Sequence, residues 1–439
     1  MNIISMIKRL FHPSFILPGH QPNRLDPDQP KLMAARTTGL GRVFRQFVIL
    51  FFIVVPASGI KADTPRLSFE EQPISAGSER LIAQVPKGYR LELLTDKLDR
   101  PRLMAFAENG DLVIGSKSGK VYRLSRPYTD PAVLVELDDY PHSVAFRGGE
   151  ILIARNHGLY RAPYRPGQKQ LAPKSITLLA PLPGGSGHSS RTVGVGPDGR
   201  VYVSLGIQGN CSDQYLDDRY TFEDRRGGVY VLREAGGKSY LEPFGTGFRN
   251  PVGFSWHPQT SVMYASNNGP DHLGYEHPPE YFSRIASGTF HGMPWYQFNG
   301  EKIIRDHCIL SQPPRSMSDV VMPVAIFPAR NAPMAVVFVP QGAMDKSLEF
   351  GAIVALRGSW ATKPTGGYLG SKATRRPPKI VIVRFHDGKA ERVDDLVTGF
   401  QNENGDRWAR PVGVAVGPDG ALYFTSDEGI NGLFRLSRK

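Results

Sequence analysis

The residues best suited to chemistry stand in short polar runs directly beside apolar strands. Pro183-Gly184-Gly185-Ser186-Gly187-His188-Ser189-Ser190-Arg191 sets a histidine between a glycine and the start of a strand. A neutral imidazole with an ordinary pKa of ~6.5 is a suitable general base. Lone histidines more often sit on a surface or in a satisfied core, but the strand that follows aims this one at whatever that strand lines. Phe248-Arg249-Asn250-Pro251 opens another strand, and an always-charged arginine fork there suits anionic oxygens. A capped turn is the plainer reading. Beyond the next strand, Asn267-Asn268-Gly269-Pro270-Asp271-His272 clusters oxygens of the kind a hard cation takes six to eight at a time, although it has no EF-hand spacing and also reads as an ordinary Asx/Gly turn. Arg410 precedes a late strand as Arg249 precedes an earlier one, His142 holds the matching place before Ser143, and Arg357 follows the strand ending at Leu356. A solvated loop is the alternative for each of these three.

These runs punctuate a repeat. From about Leu91 an apolar strand ends in a Pro-Asp-Gly-like turn, a second strand follows, and a third often begins with Gly. Gly196-Pro197-Asp198-Gly199 and Gly417-Pro418-Asp419-Gly420 are the clearest such turns, and copies begin near residues 104, 144, 193, 252, 335 and 412. Short alternating strands joined by turn residues are hairpins. Their return at roughly 40 residues or more, with no helical stretch between, predicts an all-β fold: a six-bladed β-propeller of four-stranded antiparallel blades. Residues 89–94 supply the strand that closes the last blade beside the one ending at Leu436. A β-sandwich fits the six hairpins less well. Ligands of propellers sit at one mouth of the central channel, so the pre-strand residues His142, His188, Arg249, Asn250 and Arg410 are expected to share a rim. Gly269 and Pro270 follow the second strand of their hairpin and are expected, on strand direction alone, at the opposite rim.

Composition sets bounds. The chain has 439 residues, with 47 Gly and 37 Pro favouring many turns. Its +12 charge is uneven: residues 1–62 hold eight Lys/Arg against two Asp/Glu, and the rest is mildly basic with both signs interspersed. No clustered basic stripe marks a nucleic-acid partner. Arg42 and Arg45 precede the apolar run 47–55 and then small residues to Ala62, the order of a secretory signal. The run is short for a membrane span, so membrane contact is expected only if this segment is retained, and Met33 is an alternative start. The organisation read from this is an N-terminal extension and signal over 1–62, a linker over 63–84, and a propeller over 85–438, exported to the periplasm or beyond. Cys211 and Cys308 could form a disulfide in that compartment; no CxxC or Cys/His spacing suggests zinc.

With these residues in view, the chain resembles the soluble sugar dehydrogenases that use pyrroloquinoline quinone (PQQ), the glucose, aldose and sorbosone types. The resemblance rests on Gly187-His188-Ser189-Ser190-Arg191 ahead of the Gly196–Ser204 turn and strand, on Arg249-Asn250-Pro251, and on Gly269-Pro270, and it runs over residues 85–438. It implies a PQQ cofactor with Ca²⁺. His188 would take the proton of a sugar C1 hydroxyl, and Arg249 and Asn250 would lie at the quinone oxygens. Arg410, Arg357 and His142 would join the cofactor shell, and the carbonyls of Gly269 and Pro270 would bind calcium, drawing that loop to the mouth. At the position of Arg357 relatives carry histidine or lysine. The resemblance further implies a small sugar substrate and a downstream electron acceptor such as a quinone, cytochrome or dye.

Two other classes stay open: a metal-dependent lactonase on the same architecture, which needs carboxylates converging on the channel, and a non-enzymatic propeller that binds a glycan or a protein. Absent from the sequence are a dinucleotide GxGxxG, a P-loop and a GxSxG elbow. The export reading has a direct test: N-terminal sequencing of secreted material should start near Asp63, and retention of 47–55 would show an anchor instead.

Overall fold

The computed structural model describes residues 66–76 and 79–439; the signal-like segment lies outside them. Six small sheets follow one another along the chain. Their innermost strands are Pro101–Phe106, Ser143–Arg147, Arg191–Val195, Phe254–Trp256, Pro333–Phe338 and Ala409–Val416, opening blades 1 to 6 in that order. Each pairs antiparallel with the strand after it. The only helical elements among the described residues are three-residue 3₁₀ turns.

Turn chemistry makes the hairpins. In blade 3 the Gly199 amide donates to Gly196 O, and the Asp198 carboxylate accepts from the Arg200 amide and the Tyr202 hydroxyl. Blade 6 repeats the device, with Asp419 accepting from the Ala421 amide and from Tyr423 Oη. The second strands are buried from end to end, as in Leu112–Ser116, Val201–Leu205 and Ala352–Leu356. That follows from sheets that stack face to face, since each is covered on both sides.

The ring closes as expected. Tyr89–Thr95 lies antiparallel beside Gly432–Arg438, so the two ends of the propeller share blade 6. Leu91, Phe434 and Leu436 are buried in one cluster, and Phe434 stacks on Phe424 at 4.9 Å. Side chains and backbone also tie each blade to the next around the axis. Leu103 N donates to His142 O, Ser143 Oγ to Arg191 O, Thr192 Oγ1 to Val252 O, and Ser266 Oγ to Met334 O. Arg410 Nη2 donates to Gly358 O, and Thr425 Oγ1 to Arg102 O, completing the circle. Gly253 permits the closest of these approaches, because a Cβ there would stand 2.1 Å from Met334 O. Inside the circle remains a cavity of about 90 Å³, to which each blade brings an apolar residue: Leu103, Val144, Val193, Phe254, Val336 and Val414. A sugar-sized ligand must therefore sit on a mouth of the channel.

Three details differ from the sequence expectation. Residues 69–86, read mostly as linker, form an antiparallel hairpin, Phe69–Ala76 with Glu79–Pro86. Its Ile74 and Val85 pack on Leu91, and Gln72 pairs with the backbone of Leu91, covering the outer edge of blade 6. Blade 3 has a fifth strand, Thr289–Phe290, added in parallel. Between blade 4's third strand and its outermost strand, Ala325–Phe327, an insertion carries the hairpin Tyr296–Phe298 with Ile303–Arg305. Closure makes a quantitative claim: Phe434→Ala should lower unfolding free energy by ~3–5 kcal/mol in a denaturant titration. A loss below about 1 kcal/mol would mean the closing blade contributes little to holding the ring.

Candidate active site

Inner strands all run from one mouth toward the other, and second strands return. The residues before a first strand and those after a second strand therefore share a rim. This corrects the expectation for Gly269 and Pro270: antiparallel return brings their loop to the same mouth as His188 and Arg249. Asn267, ending the second strand of blade 4, accepts through Oδ1 from the amides of both Arg249 (3.1 Å) and Asn250 (3.0 Å).

His188, Arg249 and Asn250 converge. The point of contact is Gly206, just past the second strand of blade 3: a Cβ there would meet Asn250 Oδ1 at 2.6 Å, Arg249 O at 2.8 Å and His188 Cβ at 2.9 Å. His188 is half-buried, and its Nδ1–H donates to Ile207 O at 2.5 Å. That bond selects the tautomer and leaves the lone pair on Nε2, which has no protein partner among the described residues. Burial, and then the Arg249 guanidinium, pull the imidazole down to about 4. It is a neutral acceptor at ordinary pH.

Two arginines that sequence reasoning did not single out hold the histidine loop. Arg226 is fully buried and donates to the carbonyls of Gly206, Gly184, Ser186 and His188. Arg191 donates to the carbonyls of His188, Ser190 and Pro183. Burial lowers both guanidinium pKa values, to about 10 and about 9. Among the described residues neither has a carboxylate partner.

Arg249 is buried between Asn210, whose Oδ1 accepts from Nε and Nη2, and Asp271, whose carboxylate takes Nη2 at 2.7 Å. Asp271 also pairs with Arg330 at 2.5 Å, and Arg330 Nη1 reaches Pro270 O at 3.4 Å. The Gly269 amide donates to Glu280, a buried carboxyl that burial raises to about 7. Across the mouth, Arg410 donates to the carbonyls of Arg357 and Gly358 and pairs with Glu428 at 2.6 Å. Arg357, more open, bridges Asp427 (2.8 Å) and Glu428 (3.2 Å), and Arg102 reaches Asp427 at 2.5 Å. His142 is set deeper. It is fully buried, its Nδ1–H donates to Arg191 O, and Nε2 lacks a partner among the described residues.

Arg102, Arg226, Arg330, Asp427 and Glu428 went unnoticed in the sequence, and Asp271 figures there only as one of the clustered oxygens of residues 267–272. Counting strand directions would have placed the three carboxylates at this rim. The carboxylates are outnumbered by guanidinium groups, and Arg102 Nε, Arg191 Nε and Asn267 Nδ2 are buried donors without partners among the described residues. Such a surplus of donors suits a polyanionic ligand.

The TrAA12-like family profile matches residues 83–280 and 314–438 of this chain. The chain belongs to the TrAA12-like family. Among solved structures it is similar to the holo PQQ domain of pyranose dehydrogenase from Coprinopsis cinerea (19% identity, 83% of this chain and 100% of that one, TM-score 0.66). It is also similar to the calcium structure of a Trichoderma reesei family AA12 protein (17%, 86% and 100%, 0.68). An uncharacterized protein of Borreliella burgdorferi is 24% identical over 371 residues, covering 80% of this chain and 90% of its own. At these identities the structural likeness speaks for the fold. The TrAA12-like match leaves out 281–313, most of blade 4's third strand and the part of the following insertion that carries the extra strand of blade 3 and Cys308.

In this TrAA12-like chain the depressed His188 pKa is open to measurement. An unfolded histidine binds its proton near 6.5 and the folded one only near 4, so stability is intact above 6.5 and falls as pH drops toward 4, by up to about 3 kcal/mol. Imidazole NMR should show the midpoint near 4, rising when Arg249→Ala removes the neighbouring charge. A midpoint at 6.5 in the wild type would refute the burial argument.

Proposed function

We propose that this chain is an exported PQQ-dependent oxidoreductase that oxidises the C1 hydroxyl of an aldose, or a sugar aldehyde, to the lactone or acid. The observation that carries the reading is His188: a neutral imidazole with Nδ1–H committed to Ile207 O and Nε2 open, gathered with Asn250 and Arg249 around Gly206 at a donor-rich mouth. PQQ is a planar polycarboxylate quinone, and the unpartnered buried donors with the excess of guanidinium groups fit such an anion. Arg249 and Asn250 would hold its quinone side, with Arg410, Arg357 and Arg102 at its carboxylates. When bound, the cofactor supplies a two-electron acceptor for hydride.

The protein's own part is positioning and proton removal. His188 Nε2 accepts the hydroxyl proton, which a low imidazole pKa permits without prior deprotonation. Arg191 and Arg226 fix the backbone of His188, and Ile207 O fixes its tautomer. Asn210 and Asp271 hold the Arg249 fork in place. His142, sealed beneath the rim, supports Arg191 O and belongs to this shell only indirectly.

Calcium is a weaker fit. A hard cation takes six to eight oxygens. At this loop Arg330 stands on Pro270 O, and the Asp271 carboxylate is already shared by two guanidinium groups. Cofactor oxygens would have to complete the shell, so no step is assigned to the metal.

The test is reconstitution with PQQ, with and without Ca²⁺, followed by dye reduction over an aldose panel. His188→Gln should keep cofactor binding and lose ~10²–10⁴-fold in turnover. Arg249→Ala should weaken cofactor binding first. Wild-type turnover in His188→Gln with PQQ bound would overturn the mechanism, and lactone hydrolysis without any dye reduction would favour the lactonase.

A further inference from the structure

Beside the mouth, three loops bring Cys211, His272 and Cys308 together, their ligating atoms all within 4.8 Å of one another. Cys211 comes from the insertion after blade 3's second strand, His272 from the loop after blade 4's second strand, and Cys308 from the part of the later insertion that the family profile leaves out. The thiol of Cys211 lies 4.0 Å from His272 Nδ1. On its other side, His272 Nε2–H donates to Asp306, with contacts of 3.0 and 3.2 Å to the two carboxylate oxygens. Asp306 is 4% exposed and is itself oriented by Gln297 Nε2 and by the amide of Cys308.

That pattern is more than two thiols near an imidazole. A carboxylate on the far nitrogen of a histidine is how proteins aim the other nitrogen at a metal, because it sets the tautomer and raises ligand basicity. Here it leaves the Nδ1 lone pair directed into the thiol pair. We propose that Cys211, His272 and Cys308 form a three-ligand site for a thiophilic d¹⁰ cation, Zn²⁺ or Cu⁺, with solvent access for a fourth ligand. Two sulfurs and one imidazole nitrogen suit these ions and not Ca²⁺ or Mg²⁺. Tetrahedral Zn–S and Zn–N bonds of ~2.3 and ~2.0 Å bring ligand atoms to roughly 3.5–3.8 Å apart, so the three need only a modest contraction. Each thiol releases its proton as it binds.

The site has a structural consequence for its neighbour. Cys211 follows Asn210 and His272 follows Asp271, and those two residues are the partners of Arg249. A metal here pins both sides of the Arg249 cradle and ties the insertion to it. The ion is thus a positioning element for the mouth rather than part of its chemistry.

The test uses the full chain purified with a phosphine reductant. Co²⁺ should give thiolate charge-transfer bands and tetrahedral d–d bands, displaced by a single equivalent of Zn²⁺ that survives dialysis. A parallel arm challenges Cu⁺ with bicinchoninate to tell which ion is held more tightly. Cys211→Ser and Cys308→Ser should abolish both signals, and Asp306→Asn, which keeps all three ligands, should weaken binding ~10–100-fold. Zn²⁺ should raise the thermal midpoint of the wild type and leave the cysteine variants unchanged. Three results would overturn the proposal: an octahedral Co²⁺ spectrum, equal metal retention by wild type and variants, or a Cys211–Cys308 disulfide in a parallel preparation isolated without reductant. The wild-type spectrum decides the matter even if a variant does not fold.

Discussion

The circle of hydrogen bonds that joins each blade to the next around the axis is the constraint on which the rest depends. Its donors and acceptors are buried, and each unmet one would cost roughly 1–3 kcal/mol. The blades therefore meet in one register. Hydroxyls of Ser143, Thr192, Ser266 and Thr425 reach the backbone of the next blade, while Gly253 lets the backbones close to contact. Once that circle is set, the direction of the inner strands is common to all six blades. Every chemically useful loop then opens on the same rim.

That rim gathers positive charge in a poorly solvated place. Asp271, Asp427 and Glu428 pair with five arginines, and among the described residues Arg191 and Arg226 have only carbonyls for partners. Burial opposes ionisation of Asp427 and Glu428, yet the guanidinium groups hold both carboxyls below the usual range. One arrangement has two effects. It leaves donors for a polyanion, and it keeps His188 unprotonated, which an imidazole must be to accept a proton. Removing a partner from such a network strands a buried charge, so the network resists piecemeal change.

Membership of the TrAA12-like family and the propeller architecture agree with this electrostatic picture without supplying it. The segment just after blade 4's third strand lies within the stretch that the family profile does not match. It lends a fifth strand to blade 3 and delivers Cys308 to the loops that carry Asn210 and Asp271. The edge of the array is handled separately. The hairpin over 69–86 covers the outer strand of blade 6, and a stretch lacking the repeat's turn signature gave no sign of it in the sequence.

What the sequence by itself determined is local. Alternating strands and Pro-Asp-Gly turns specify hairpins, six copies specify the blade count, and residues 89–94 carry the alternation that closes the ring. His188, Arg249 and Asn250 were visible because each abuts an inner strand, so their meeting at Gly206 follows from the fold alone. Tertiary structure decided whatever depends on distance between loops. It set the common rim for Gly269 and Pro270, the carbonyl cage that Arg226 makes around His188, and the Asp427 and Glu428 pairing that engages Arg357. It also set the meeting of Cys211, His272 and Cys308. Hairpins are specified by neighbours two to four residues apart, which spacing records. Contacts between loops depend on how strands return and blades stack, and no pattern within any one segment encodes that.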